Sequence, residues 1–168
     1  MKIRLAGEIA ESTVDGPGIR YTIFTQGCLH NCPGCHNPKT HSLDTGYLVE
    51  NDEIVSKMKQ NPLISGITLS GGEPFLQPEQ LLDLCIKVKK EQYHIIAYSG
   101  YTYEELLNMN NSHIYEVLDI IDVLIDGKFE IEKKSLSLLY RGSSNQRIID
   151  MIETRNQKKI ILKDYSNY

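Results

Sequence analysis

The fold of this protein is decided by residues 66–74, Gly66-Ile67-Thr68-Leu69-Ser70-Gly71-Gly72-Glu73-Pro74. The first half is a short β-branched run, which predicts a buried strand over Ile67–Ser70. Glycines at the carboxyl end of a strand let the backbone approach a ligand closely, because no side chain intervenes. A strand that runs into a tight turn would give the same pattern for structural reasons alone. The stretch therefore predicts a strand and also suggests a ligand-binding site at its carboxyl end.

Strands and helices alternate on both sides of this stretch. The other predicted strands are Arg20–Gln26, His94–Ser99 and Ile121–Ile125. The predicted helices are Asn51–Gln60, Pro78–Gln92 and His113–Asp119, together with one that begins at Thr102. A capping box between Thr102 and Glu105 predicts the start of that last helix. Two further strands, Arg147–Ile152 and Lys159–Lys163, are predicted as a hairpin around Arg155-Asn156. The βαβ order predicts one α/β domain over residues 1–168 with mostly parallel strands. The repeats are too few for a complete eight-stranded barrel, so an open partial (β/α) barrel is expected.

Three of the four cysteines lie close together in the loop after Arg20–Gln26. Cys28, Cys32 and Cys35 have C-x3-C-x2-C spacing among glycine, proline and asparagine residues. Three thiolates at this spacing repel one another unless a cation holds them, so the loop predicts a metal or a cluster. A site with three protein ligands also leaves a coordination position open for chemistry.

The ligand types leave two kinds of site open. One is zinc, with His30, His36 or His41 as a fourth ligand, and the other is a four-iron cluster held at three corners. The fourth cysteine, Cys85, falls on the apolar face of the predicted helix Pro78–Gln92, and there it is expected to be a buried small hydrophobe.

Four chemistry-bearing positions each follow a predicted strand. They are Cys28, Gly71, Ser99 and Asp126. Because ligands of parallel α/β folds bind at the carboxyl edge of the strands, these four positions are expected to meet on one rim.

The cysteine loop together with Gly71-Gly72-Glu73-Pro74 resembles the radical S-adenosylmethionine (radical SAM) superfamily. This resemblance implies a partial barrel of the radical SAM type and a [4Fe–4S] cluster on Cys28, Cys32 and Cys35. It also implies that the free iron chelates the amino and carboxylate groups of S-adenosylmethionine (SAM), and that one electron cleaves SAM to a 5′-deoxyadenosyl radical.

Further motifs resemble one branch of that superfamily, the activases of glycyl radical enzymes. They are Ser12–Cys28, Cys32–Pro38 and Arg141–Arg147. The last two are most similar to the activases of anaerobic ribonucleoside-triphosphate reductase. The resemblance implies an oxidoreductase that makes a glycyl radical on that reductase, with flavodoxin as an external electron donor. Activation of another glycyl radical enzyme, of the pyruvate formate-lyase type, is the nearest alternative.

The resemblance also implies roles for individual residues. The expected SAM contacts are Gly34, Cys35, His36 and Asn37 for the adenine, Gly71, Gly72 and Glu73 for the amino group, Ser99 for the methionine or ribose, and Asp126 and Lys128 for the ribose and carboxylate. Asp15 and Arg20 are expected at the partner surface, where a plain surface turn is the alternative. The superfamily usually has an aromatic residue before the third cysteine, where this chain has Gly34.

Composition limits the remaining classes. The 168 residues are 40% hydrophobic and 24% charged, as in ordinary globular domains, and no segment predicts a signal peptide or a membrane span. The net charge of −4 without a long basic block does not indicate nucleic-acid binding. Clustered thiols favour the cytoplasm. A radical SAM enzyme acting on a small molecule and a non-catalytic zinc or electron-transfer module are the remaining alternatives.

Overall fold

Seven strands, five α-helices and three single-turn 3₁₀ helices (Pro38–Thr40, Pro74–Leu76 and Ile131–Lys133) make up the regular structure of residues 1–165, the part of the chain that this computed structural model describes. The strands are β1 (Lys2–Ser12), β2 (Ile19–Thr25), β3 (Tyr47–Glu50), β4 (Ile64–Gly71), β5 (His94–Tyr98), β6 (Val123–Asp126) and β7 (Arg147–Asp150). The helices are α1 (Asn51–Lys59), α2 (Pro78–Lys90), α3 (Tyr103–Leu107), α4 (Ser112–Ile120) and α5 (Met151–Gln157). All strands form one sheet in the order β3-β1-β2-β4-β5-β6-β7.

The centre of the sheet is parallel and its edges are antiparallel. Strands β2, β4, β5 and β6 are parallel neighbours, whereas β1 is antiparallel to both β2 and β3, and β7 is antiparallel to β6. The predicted α/β class and its parallel centre are confirmed. Strands β1 and β3 were not predicted, although the alternation that buries Ile3 and Leu5 in β1 is a short strand signal.

The predicted hairpin at the end of the chain is wrong. Helix α5 lies between its two arms, because the Asp150 carboxylate caps the helix by accepting a hydrogen bond from the backbone N–H of Glu153 at 3.0 Å. The second arm still returns beside β7 through an isolated antiparallel bridge between Ile149 and Leu162. The pairing of the two segments was therefore predicted correctly, but the connection was not.

The other predicted helices form within a few residues of their expected bounds. The Thr102–Glu105 capping box is present, with the Thr102 hydroxyl accepting from the Glu105 N–H and the Glu105 carboxylate accepting from the Thr102 N–H. Cys85 is fully buried on α2, as predicted, and burial raises the pKa of its thiol to about 12.

The two faces of the sheet bury different sets of side chains. On β5, Ile95 and Ala97 join the large core that also holds the buried hydrophobic side chains of the helices. Ile96, between them, belongs to a small cluster with Tyr165, with Tyr98 packed against it. Successive residues of a strand point to opposite faces, so the helices lie on one side of the sheet and the other side is left for a site. Within the described residues, no helix has the length and apolar content needed to cross a bilayer.

Candidate metal and cofactor site

A cavity of about 390 Å³ opens at the carboxyl ends of the parallel strands, on the face without helices. Phe24 pairs with Ser70, and because Leu69 pairs with Ala97, Ser70 lies beside Tyr98. All three of these side chains line the cavity. The volume falls within the range of small-molecule sites in proteins. The strand register thus builds one wall from β2, β4 and β5.

The three clustered cysteines line the same cavity. Cys28, Cys32 and Cys35 are half-buried free thiols. The base of their loop is closed by a hydrogen bond from the Gly27 N–H to the Thr40 carbonyl at 2.8 Å. At its tip, the Cys35 N–H donates to the Cys32 carbonyl at 3.1 Å. The loop therefore presents its thiols to the cavity from a closed frame.

The donor set of this loop fits an iron–sulfur cluster. Burial raises the pKa of the Cys28 thiol, so a bound cation is needed to keep it as a thiolate ligand at neutral pH. In residues 1–165, no three His, Cys, Asp or Glu side chains are arranged to hold one metal ion. Thiolates that bind separate irons of a cluster do not have to converge on one point.

The glycine-rich turn after β4 is packed directly against the start of the cysteine loop. The Gly72 N–H donates to the Thr25 carbonyl, and the Glu73 N–H donates to the Gly27 carbonyl, both at 2.8 Å. A Cβ on Gly72 would lie 2.3 Å from the Gly27 oxygen. Gly71 has a φ of +103°, and a Cβ there would lie 2.4 Å from the Thr25 nitrogen. Both glycines are required by this close approach, and both border the cavity.

Glu73 joins the turn to two neighbouring loops. Its carboxylate is fully buried and accepts hydrogen bonds from His30 Nε2 at 2.8 Å, Ser99 Oγ at 3.0 Å and the Gly100 N–H at 2.8 Å. It also accepts from the Phe75 N–H at 3.1 Å. The expectation that this carboxylate reaches SAM is not supported, because these protein donors occupy it. The role of His30 was missed, since nothing in the local sequence connects it to Glu73.

The expected pair of SAM contacts after β6 is also not brought to the cavity. The Asp126 carboxylate is fully buried and accepts from Arg147 Nε at 2.9 Å and from the Tyr103 N–H at 2.7 Å. Lys128 is exposed, and neither residue lines the cavity, whereas Gly127 between them does. The Asp126 carboxylate forms an ion pair with Arg147, because a buried Asp must be paired to remain charged.

Of the four SAM contacts predicted around the third cysteine, three lie at the cavity and one does not. Cys35, His36 and Asn37 line the cavity, whereas Gly34 is exposed and packs against Ile131 instead. The aromatic ring near this cysteine comes from Phe129, which also lines the cavity and lies 5.0 Å from the His36 ring, measured between centroids. Sequence spacing could not predict this contact, because Phe129 reaches the loop from the segment after β6.

Of the two residues expected at the partner surface, only Asp15 lines the cavity. Arg20 is 1% exposed, and its guanidinium donates to Thr68 Oγ1 at 2.6 Å and to the His94 carbonyl at 3.1 Å. Burial lowers the pKa of Arg20 to about 10. The expectation of a surface role for Arg20 is wrong, since its side chain ties β2 to β4 and β5 inside the protein.

The segment Arg141–Arg147, whose sequence suggests a phosphate-like or partner-binding loop or a polar connection, also reaches the cavity. Arg141, Gly142 and Gln146 line it. The complete lining therefore combines a cysteine loop, a glycine-rich turn and an arginine-containing loop at one carboxyl edge of a parallel sheet. This combination defines an α/β protein that brings three cysteine thiols to a polar cavity at the carboxyl edge of its parallel strands.

Comparison with known proteins gives the same class. Residues 14–149 match the family described as a 4Fe-4S single cluster domain. The anaerobic ribonucleoside-triphosphate reductase-activating protein of Escherichia coli strain K12 is 38% identical over 142 residues, which is 79% of this chain and 89% of that protein. The proteins of the same name from Vibrio cholerae and Enterobacteria phage T4 are 40% and 34% identical, over 80% of this chain in both comparisons and over 90% and 86% of those proteins. The chain belongs to the 4Fe-4S single cluster domain family, in the branch of the anaerobic ribonucleoside-triphosphate reductase-activating proteins.

Proposed function

We propose that this protein is a radical SAM oxidoreductase that activates an anaerobic ribonucleoside-triphosphate reductase. The observation that carries the proposal is the cavity that brings Cys28, Cys32 and Cys35 together with the Gly71-Gly72 turn. The names of the relatives supply the reductase as the partner. The match to a 4Fe-4S domain favours the cluster over zinc.

In this proposal, the residues of the chain bind and orient the cofactors. The three cysteines hold a [4Fe–4S] cluster, and the backbone at Gly71 and Gly72 offers carbonyl groups to the amino group of SAM. The cluster and SAM, once held there, would supply the one-electron chemistry that forms a glycyl radical on the reductase. The surrounding side chains, among them Ser99 and Phe129, exclude water from the reacting groups.

The arrangement of layers supports a partial barrel of the radical SAM type. Helices cover one face of the four parallel strands, and the cavity occupies the other face, as the inside of an open barrel would. Antiparallel strands extend both edges of this block instead of closing it. An open interior suits a substrate that enters as a loop of another protein.

The rim of the cavity supports a protein substrate. Two exposed apolar side chains lie on or next to the residues that line it: Val14, which lines the cavity, is 75% exposed, and Leu29, between the lining residues Cys28 and His30, is 64% exposed. Apolar side chains in water at the mouth of a site are typical of partner surfaces. We assign Asp15 to the same rim, an external donor such as flavodoxin as the source of electrons, and the cytoplasm as the compartment.

The proposal is tested by electron paramagnetic resonance (EPR) spectroscopy of the anaerobically reconstituted protein. About four irons per chain and a reduced-cluster signal that changes when SAM is added are expected. Addition of the anaerobic reductase should then produce a glycyl radical signal on the reductase. Bound zinc without a cluster, or a cluster signal that SAM does not change, would overturn the proposal. A radical formed on pyruvate formate-lyase but not on the reductase would reassign the partner.

A further inference from the structure

A rigid loop, residues 141–147, carries an arginine to the wall of the cavity; we call this segment the arginine loop. The Gln146 side chain holds it closed, because its Oε1 accepts from the Gly142 N–H at 2.9 Å and its Nε2 donates to the Gly127 carbonyl at 3.0 Å. Asn145 Nδ2 donates to the Lys128 carbonyl at 2.8 Å. The arginine loop is therefore fixed to the turn after β6, one of the strand ends that build the site.

Arg141 brings an unpaired positive charge to this wall. Its Nη1 donates to the Gln146 carbonyl at 2.9 Å, which orients the guanidinium. Its Nε is buried and has no hydrogen-bond partner. Within residues 1–165, no carboxylate forms an ion pair with Arg141, whereas Arg147 at the other end of the loop pairs with both Asp126 and Glu104. The two arginines of one loop thus have different roles: Arg147 holds the structure, whereas the Arg141 guanidinium has no carboxylate partner among the described residues.

The cavity has one cationic and one anionic side chain, setting its histidines aside. Among the described residues that line it, Arg141 is the one lysine or arginine, and Asp15 is the one aspartate or glutamate. A second buried nitrogen on the wall, His41 Nε2, also lacks a hydrogen-bond partner. A guanidinium with free N–H groups in a polar cavity is suited to a carboxylate, which it can bind through two parallel hydrogen bonds.

We infer that Arg141 binds the carboxylate of the methionine moiety of SAM, an inference that rests on the proposed function. SAM carries one carboxylate, and neither of the residues first expected near it lines the cavity: Lys128 is exposed and Asp126 is paired with Arg147. Arg141 takes the role that the Asp126-to-Lys128 pattern suggested. It determines specificity by requiring a ligand with a carboxylate at this end.

The test compares SAM with decarboxylated SAM, which keeps the sulfonium, ribose and adenine but lacks the carboxylate. Equilibrium dialysis with the reconstituted cluster-containing protein measures the dissociation constant of each compound for the wild type, Arg141→Ala and Arg141→Lys. Arg141→Ala is expected to weaken SAM binding by about 10- to 100-fold, the range for one charge-assisted pair. Binding of decarboxylated SAM should change by less than about 3-fold, because the group that Arg141 recognises is already absent.

Arg141→Lys keeps the charge without the planar fork, so its affinity for SAM should fall between those of the wild type and Arg141→Ala. Lys90→Ala, an exposed lysine on α2, is the matched control and should bind both compounds as the wild type does. Iron content and circular dichroism, measured for each variant, identify any loss of cluster or fold. If Arg141→Ala loses the cluster, the dissociation constants of Arg141→Lys for SAM and decarboxylated SAM test the inference instead.

The outcomes separate this inference from the proposed function. Equal weakening of SAM and decarboxylated SAM by Arg141→Ala would show that the residue does not recognise the carboxylate, and unchanged SAM binding would do the same. Either result overturns the inference and leaves the proposed function standing. A wild-type protein that carries the cluster but does not bind SAM overturns both.

Discussion

The Glu73 carboxylate accepts a hydrogen bond from His30 Nε2 at 2.8 Å, and this contact joins the glycine-rich turn after β4 to the cysteine loop after β2. The ring of His30 also packs edge-on against Tyr101, with 4.3 Å between centroids. A Cβ on Gly100 would lie 2.3 Å from the same ring. Three strand ends are therefore held together around one buried carboxylate, which sets the positions of the groups that line the cavity.

Replacing Glu73 should cost much of the protein's stability. Glu73→Gln keeps the size of the side chain but turns an NH₂ group toward donors that need an acceptor. We expect the free energy of unfolding to fall by about 2–4 kcal/mol, because buried donors lose their partner. Urea unfolding followed by circular dichroism measures the change. The control Glu116→Gln, on the exposed face of α4, should change stability by less than about 0.5 kcal/mol, and equal effects of the two variants would contradict the buried role of Glu73.

The three cysteines of the loop should differ from the fourth in holding the cluster. Alanine at Cys28, Cys32 or Cys35 is expected to abolish the cluster, measured as iron per chain and visible absorbance after anaerobic reconstitution. Cys85→Ala should keep it, because Cys85 is fully buried in the core among helix side chains. Its cost should be about 1 kcal/mol of stability. A folded Cys85→Ala protein without a cluster would contradict this assignment of ligands.

Gly71 and Gly7 offer a matched pair of alanine substitutions. At Gly71, with a φ of +103°, a Cβ would lie 2.4 Å from the Thr25 nitrogen, so Gly71→Ala must shift the backbone between β2 and β4. We expect a loss of more than about 2 kcal/mol in the free energy of unfolding and weaker SAM binding. At Gly7 nothing lies within 4 Å of an added Cβ, and Gly7→Ala should stay within about 1 kcal/mol of the wild type. A Gly71→Ala protein as stable as Gly7→Ala would refute the close approach.

His94 should make stability depend on pH. Its pKa is lowered to about 4, chiefly by burial; Asp122 opposes the shift, and Arg20, Lys89 and Lys163 add to it. Its Nδ1 is buried without a hydrogen-bond partner. The pKa of an unfolded histidine is about 6.5, so between these values the unfolded chain binds the extra proton and the folded chain does not.

The stability that His94 contributes is therefore present above about pH 6.5 and is lost as the pH falls toward 4. Urea unfolding at pH 7 and pH 5 should show a smaller drop for His94→Gln than for the wild type. The same drop in both proteins would mean that another group causes the pH dependence.

Where signals were local, the sequence predicted the structure well. The Thr102–Glu105 capping box and the helix that follows Pro78 depend on residues within a few positions, and both are present. The edge formed by β1 and β3 escaped prediction, in part because β3 is only four residues long and gains its stability from pairing with β1. Helix α5 escaped for a similar reason, since a short cap at Asp150 competed with a plausible strand pattern.

In the candidate site, too, the features with local sequence signals could be predicted and those that depend on distant contacts could not. Two features of the site could be predicted from short segments: the spacing of Cys28, Cys32 and Cys35, and the paired glycines after β4. Close thiols need a cation, and glycines permit close approach of the backbone. The direction in which a charged side chain turns is different, because it depends on which distant segment packs against it. Glu73 and His30 are 43 positions apart, and Asp126 and Arg147 are 21 apart.

The sequence by itself therefore determined the grouping of the three cysteines, the glycine-rich turn and the parallel strand ends on which they lie. The tertiary structure decided that Glu73, Asp126 and Arg20 serve the interior and that Arg141 faces the cavity. The physical reason is the high cost of burying a charge without partners. In the folded chain, Glu73, Asp126 and Arg20 find those partners in remote segments. Arg141 has no carboxylate partner among the described residues and so can bind a ligand.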